Sequence, residues 1–193
     1  MDMIQDRLKA VESKLKDQSF LHNKGLGNEI GYYIFDYPPK EEIEVRKWIE
    51  NMQKKNTPSL HNYELKVYDI YDIMIDIIKK EGYLQQCFDI EKKHGTERMV
   101  AAIGRLLRLS ENSGGRIVDY IRENTPSKAV IFIVGVGKSY PVLRSHKVLN
   151  NLHQVFDAVP VILFYPDNYD EQELVLLGRI KDGNYYRAFR LSP

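Results

Sequence analysis

Gly137-Lys138-Ser139 stands between an apolar run, Ala129 to Val134, and Pro141, and these are the residue types of a phosphate-binding loop. Backbone N–H groups opening a helix, with a lysine beside them, suit the phosphates of a nucleotide. The spacing does not. A Walker-type loop needs a glycine five positions before Gly137, and that position is Phe132, inside the apolar run, so the loop is too short to wrap two phosphates. The segment Gly135 to Tyr140 is read as a tight structural turn, with Lys138 as a surface or partner-facing charge.

Other constellations are equally incomplete. His22, His61, His94, His146 and His153 show no HxxxH or HExxH spacing; His146 and His153 would stand about 10.5 Å apart along a helix, too far to share one zinc. Cys87 is the single cysteine and has no thiol partner. Asp69, Asp72 and Asp76 fall at i, i+3 and i+7, which could place carboxylates on one helical face, but Asp69 reads as an N-cap and the other two as a solvated face. Ser139, His146 and Asp167 have the residue types of a hydrolase triad without a GxSxG elbow. These patterns point to no catalytic residue, metal site or cofactor.

The 13 tyrosines cluster where strands are predicted to end, which is where open α/β sheets place binding sites. A tyrosine buries its ring and keeps its hydroxyl wet, which suits a protein interface and an ordinary sheet edge alike. Tyr165, Tyr169, Tyr185 and Tyr186, with Arg144 and Arg187 nearby in sequence, are the partner-binding candidates.

An alternation of strands and helices must position these groups. Ile4, Leu8, Val11 and Leu15 recur at helical spacing, predicting an amphipathic helix over about 2–18. Tyr32 to Tyr37 reads as a strand stopped by Pro38 and Pro39, and Pro39 opens a helix with Ile43, Trp48, Ile49 and Met52 as its apolar face. Tyr63 to Tyr68 is a second strand, and Asp69 caps the helix after it. Residues about 82–124 read as a helical insertion with a break at 111–115, where Gly114 and Gly115 make a continuous helix costly. Ala129 to Val134 and Val159 to Tyr165 are apolar enough for strands buried on both faces, and a helix over Val142 to Val155 makes them a parallel βαβ unit. Lys181-Asp182-Gly183 reads as the turn of a closing hairpin. The expected fold is α/β: a largely parallel central sheet flanked by helices, with a helical insertion and a C-terminal antiparallel hairpin, in a single domain over 1–193.

Composition narrows the function classes. Hydrophobic residues at 43% and charged residues at 28% match a globular chain. With 28 Lys+Arg against 27 Asp+Glu the net charge is +1, which provides no broad field for tracking phosphates. The first residues lack the apolar core of a signal peptide and no apolar run reaches the roughly 20 residues of a membrane span, so a cytoplasmic location is expected.

Four strings together resemble a known family: FLHNKGLGNEIGYYIFDYPP at 20–39, VGVGKSYPVLRSHKVLNNLHQVF at 134–156, VPVILFYPDNYD at 159–170 and LGRIKDGNYYRAFRLSP at 177–193. They are similar in order and spacing to the BrxB family of BREX phage-defence systems, and only helical character agrees over about 82–128. The resemblance implies a component of a bacterial system that methylates host DNA and blocks phage, beside a PglX-like methyltransferase, a PglZ-like phosphatase-related protein and a BrxC-like ATPase. It brings no catalytic residue with it. The implied role is assembly or regulation, most directly with a PglZ-like partner. The alternative is a nucleic-acid or nucleotide-binding module using Lys138, Arg144, Arg187 and Arg190 without Walker-type hydrolysis.

Overall fold

The computed structural model describes residues 3–21, 31–56, 61–109, 115–143, 159–169, 174–176, 180–181 and 188–191. The chain divides into two compact units, one of Met1–Tyr68, Thr125–Val134 and Asp157–Pro193, the other of Asp69–Asn124 and Gly135–Phe156.

The first unit is built on a five-stranded sheet in the order β2-β3-β4-β1-β8, with β1 at Tyr32–Asp36, β2 at Glu64–Asp69, β3 at Ala129–Val134, β4 at Val161–Tyr165 and β8 at Phe189–Arg190. Strand β1 runs parallel to both β4 and β8, and β3 runs parallel to β4. The central strands read as unbroken apolar runs because parallel strands covered on both faces have no solvent side. Every residue of β4 is buried, as are the first five of β3. The fold is α/β as expected.

Helix α1 (Met3–Lys14) contributes Ile4, Leu8 and Val11 to the core of this unit, joined by Leu15 in the turn after it and by Phe20 of the short α2 (Gln18–Leu21). Helix α3 (Glu42–Lys55) adds Val45 and Ile49, and these meet Phe35, Val130, Phe132, Ile162 and Phe164 from the sheet. Trp48 stacks on Phe132 with ring centroids 6.1 Å apart, and its Nε1 donates to Glu12 of α1 at 2.9 Å. Each large side chain so buried is worth up to about 1.5–3 kcal/mol.

The expected face of α3 is corrected in one position. A 3-10 turn over Pro39–Glu41 precedes the helix, and Ile43 is 67% exposed while Val45 is in the core. Val45, Trp48, Ile49 and Met52 follow i, i+3, i+4, i+7; Ile43, two residues before Val45, is turned about 200° away.

The second unit holds α4 (Ile70–Lys80), α5 (Leu84–His94), α6 (Thr96–Leu106), α7 (Gly115–Glu123) and the one-turn α8 (Val136–Ser139). Its buried residues include Ile70, Ile73, Met74 and Ile78 of α4, Ile103 of α6 and Ile117, Val118 and Ile121 of α7. Helices α5, α6 and α7 lie within 82–124, and α6 ends before the expected break. Gly115 has φ +71, and a Cβ there would lie 2.6 Å from the Leu107 carbonyl, so glycine is required where α7 begins.

A separate antiparallel sheet joins β5 (Asn168–Tyr169), β6 (Leu174–Leu176) and β7 (Ile180–Lys181). An antiparallel pair is present, but Lys181, expected in the turn, lies in strand β7: Leu176 pairs with Ile180 and Val175 with Lys181. The last segment leaves that sheet and lies parallel to β1, where Arg190 meets a carboxylate partner. Most of the helix expected over Val142 to Val155 lies outside the described residues. Among the described residues no helix is long and apolar enough to cross a membrane.

Candidate functional site

Strand β1 ends on Asp36, a carboxylate only 3% exposed after the run Tyr32 to Phe35. Taking such a group from water is costly unless it is hydrogen-bonded and paired, and both conditions are met. Arg7 of α1 donates to Oδ1 at 2.8 Å, Arg190 of β8 donates through Nε to Oδ1 at 3.2 Å and through its terminal nitrogen to Oδ2, and the backbone N–H of Tyr169 donates to Oδ2 at 3.1 Å. Burial would raise the Asp36 carboxyl, but the bonds from Arg190, the Tyr169 N–H and Arg7 outweigh it and hold the group below the usual carboxylate range. The Arg7 guanidinium also lies over the Phe35 ring, 4.9 Å from its centroid. One carboxylate therefore ties together α1, β1, β5 and β8.

Beside this cluster is an aromatic surface. Phe20, Tyr33 and Phe189 form a chain of rings with centroid separations of 4.8 and 6.2 Å, and Lys14 reaches over Tyr33 at 5.7 Å. Phe189, on edge strand β8, is 42% exposed. Burial pushes the Tyr33 hydroxyl up, with the nearby Asp17 charge adding to the shift.

A second charged cluster belongs to the other unit. Asp69 caps α4, accepting from the N–H groups of Tyr71 at 3.0 Å and Asp72 at 3.3 Å, as the sequence predicts. Its other oxygen takes the Lys138 ammonium, which also stands 3.6 Å from Asp72 and 5.3 Å from the centre of the Tyr71 ring. Gly135, at φ +82, precedes α8, and a Cβ there would collide with the Asp69 carboxylate. The lysine that resembled a phosphate ligand is thus held by carboxylates, which agrees with the spacing argument against a Walker loop. Ser139 is 1% exposed and its hydroxyl donates to the Val136 carbonyl at 2.9 Å, so it is tied into its own turn.

Two of the four tyrosines expected to face a partner are buried instead. Tyr165 is 2% exposed and Tyr169 is 0% exposed, with the Tyr169 hydroxyl donating to the Ala188 carbonyl at 2.9 Å. Both rings are core groups in this structure, because β4 is a central strand and the chain after it folds back across Asp36. Tyr185, Tyr186, Arg144 and Arg187 lie outside the described residues. Cys87 is buried, and burial pushes its thiol up. Among the described residues no group of His, Cys, Asp or Glu side chains could hold a metal ion.

The sequence reading passed over Asp36 and Arg7, although an aspartate closing an otherwise apolar strand was a visible sign of a buried carboxylate seeking a cation. It included Phe189 only as the end of the closing Asn184 to Phe189 segment, and the exposure of that ring follows from its place on an edge strand.

Comparison with known proteins agrees with this chain's sequence pattern. The family model described as BREX protein BrxB matches residues 66–191. The chain belongs to the BrxB family. A BREX protein BrxB of Bacillus cereus (strain H3081.97) is 47% identical over 193 residues, covering 99% of this chain and 98% of that protein. One of Escherichia coli O9:H4 (strain HS) is 30% identical over 193 residues, covering 99% and 92%. These alignments span the helical stretch where the resemblance was only general. Membership makes the chain a component of a BREX phage-defence system. No solved structure matches.

Proposed function

We propose that this BrxB-family chain is a non-catalytic assembly or regulatory subunit that holds a larger BREX protein, the PglZ-like one, through the aromatic segment closing the chain. The observation that carries the reading is Phe189, a large ring left 42% exposed on edge strand β8 and backed by Tyr33 and Phe20. Aromatic rings and arginines dominate the energetic centres of protein interfaces, and a ring already backed by others loses little freedom on docking. Tyr185, Tyr186 and Arg187 lie two to four residues before Phe189 in sequence and belong to the same proposed contact, with Arg144 as a further candidate. Tyr169 supports the strand that carries Phe189 from inside, through its hydroxyl bond to the Ala188 carbonyl.

The nucleic-acid alternative is weakened by the fate of two of its four cations. Lys138 is engaged by Asp69 and Asp72, and Arg190 by Asp36.

Co-purification with a PglZ-like protein, with and without nuclease, tests the reading. Phe189→Ala should weaken association by about 30-fold, the equivalent of roughly 2 kcal/mol at an interface centre, while Ile43→Ala on the exposed face of α3 should leave it unchanged. Thermal melting confirms that each variant is folded. Absence of association at micromolar concentration, full affinity in both Phe189→Ala and the Tyr185/Tyr186 double alanine variant, or association that vanishes with nuclease sinks the proposal.

A further inference from the structure

We propose that Asp36 makes the seating of helix α1 and of strand β8 one coupled event, because each of these elements shields the carboxylate on which the other's arginine is anchored. Arg7 belongs to α1 and Arg190 to β8, and both reach the same side chain at the end of β1. Asp36 is 3% exposed, so the elements that bind it are also those that keep water from it. If β8 lifts, water reaches the carboxylate and screens its attraction to Arg7, since a charge pair is worth far more in a dry site than in a wet one. Loosening α1 does the same to Arg190. The two guanidiniums repel each other, but the carboxylate stands between them and the Tyr169 N–H adds a third donor that fixes its orientation.

The arms of this clamp are unequal. Strand β4 pairs with β1 at five positions, from Tyr32↔Val161 to Asp36↔Tyr165, whereas β8 pairs at two, Tyr33↔Phe189 and Ile34↔Arg190. Beyond Arg190, β8 is retained by buried Leu191, whose N–H donates to the Ile34 carbonyl at 2.9 Å, and by the Tyr169 hydroxyl on Ala188. Helix α1 is retained by the packing of Ile4, Leu8 and Val11, with Leu15 just after it, and by the Trp48 bond to Glu12. Strand β8 is the arm that opens first, as short edge elements do. The coupling does not depend on the partner proposed above; if that partner binds Phe189, its docking tightens α1.

Peptide-resolved hydrogen exchange on the full chain tests it. Arg190→Ala should speed exchange in α1 at least about fivefold, and Arg7→Ala should speed exchange in β8 by the same factor, because linkage between two sites is reciprocal. The amides of β4 should keep the parent's rates. Where an alanine variant does not fold, Arg7→Lys and Arg190→Lys make the same comparison, since lysine keeps the charge and loses the forked N–H geometry. Exchange that rises only within the mutated element, or that rises equally in β4, overturns the proposal. A chain that passes this test yet fails to bind a PglZ-like protein would refute the partner reading alone.

Discussion

The two charged clusters are inverses of each other. In one unit a single carboxylate, Asp36, answers two arginines; in the other a single ammonium, Lys138, answers two aspartates. Their surroundings differ more than their charges. The Asp36 side chain is 4% exposed and receives donors from three elements, while the Lys138 side chain is 35% exposed and its second partner, Asp72, is 68% exposed. Water already solvates the lysine, so its pairing replaces good hydration with modest contacts. Asp36 has no such alternative, and the protein must supply all its hydrogen bonds. Burial, not the number of opposite charges, decides which cluster holds the fold together.

The sharpest way to break this contrast is Asp36→Ala. Breaking a buried ion pair is costly, and Asp36 is shared by two arginines and a backbone N–H, so a loss of about 3 kcal/mol is expected in chemical denaturation, the low end for such a change because the Arg7 and Arg190 side chains are 21% and 30% exposed. Acid provides a milder version. The folded-state pKa of Asp36 lies below its unfolded value, so its contribution is complete above about pH 4, near the unfolded carboxyl, and disappears as pH falls through the lower folded value. The parent should therefore lose more stability than Asp36→Asn between about pH 4 and pH 2. Parallel stability curves for the two proteins over that range would remove Asp36 from the account.

This contrast also shows what was legible beforehand. The parallel sheet could be read because Ala129 to Val134 and Val159 to Tyr165 have no polar alternation, and α1 because four apolar residues keep one helical face. The Asp69 cap was readable because capping is local: the carboxylate bonds the N–H groups two and three residues on. The meeting of Asp36 with Arg7 and Arg190 was not, since they lie 29 and 154 residues from it and come together only once the sheet has formed. The same long-range closure turned Tyr169 inward. A tyrosine's composition gives no sign of which face it will take, whereas the position of Phe189 on an edge strand does.

Gly135→Ala probes the second cluster through its backbone. Its φ of +82 is disfavoured for alanine, and the new methyl would displace the Asp69 carboxylate from the start of α4. A loss of about 1–3 kcal/mol is expected, read by thermal melting. If Asp69→Ala removes the obstacle, adding Gly135→Ala to it should cost less than adding it to the parent. Equal costs would show that the glycine serves its turn alone and has no coupling to the cap.

The smallest effect belongs to Lys138→Ala. Its ammonium is partly solvated and one of its two carboxylates is largely exposed, so the loss should lie within about 0–1 kcal/mol and shrink further as salt is raised toward 1 M. The contact with the Tyr71 ring adds little at such a site. The same variant carries the phosphate-loop question: with no glycine at position 132 and with Asp69 and Asp72 beside the lysine, ATP turnover should be absent in the parent, and any weak ATP binding should be unchanged in Lys138→Ala. Turnover above background in the parent that vanishes in this variant would overturn the non-catalytic reading. A loss of stability as large as that of Asp36→Ala would overturn the comparison itself, because it would mean that a half-solvated pair can hold this fold as firmly as a buried one.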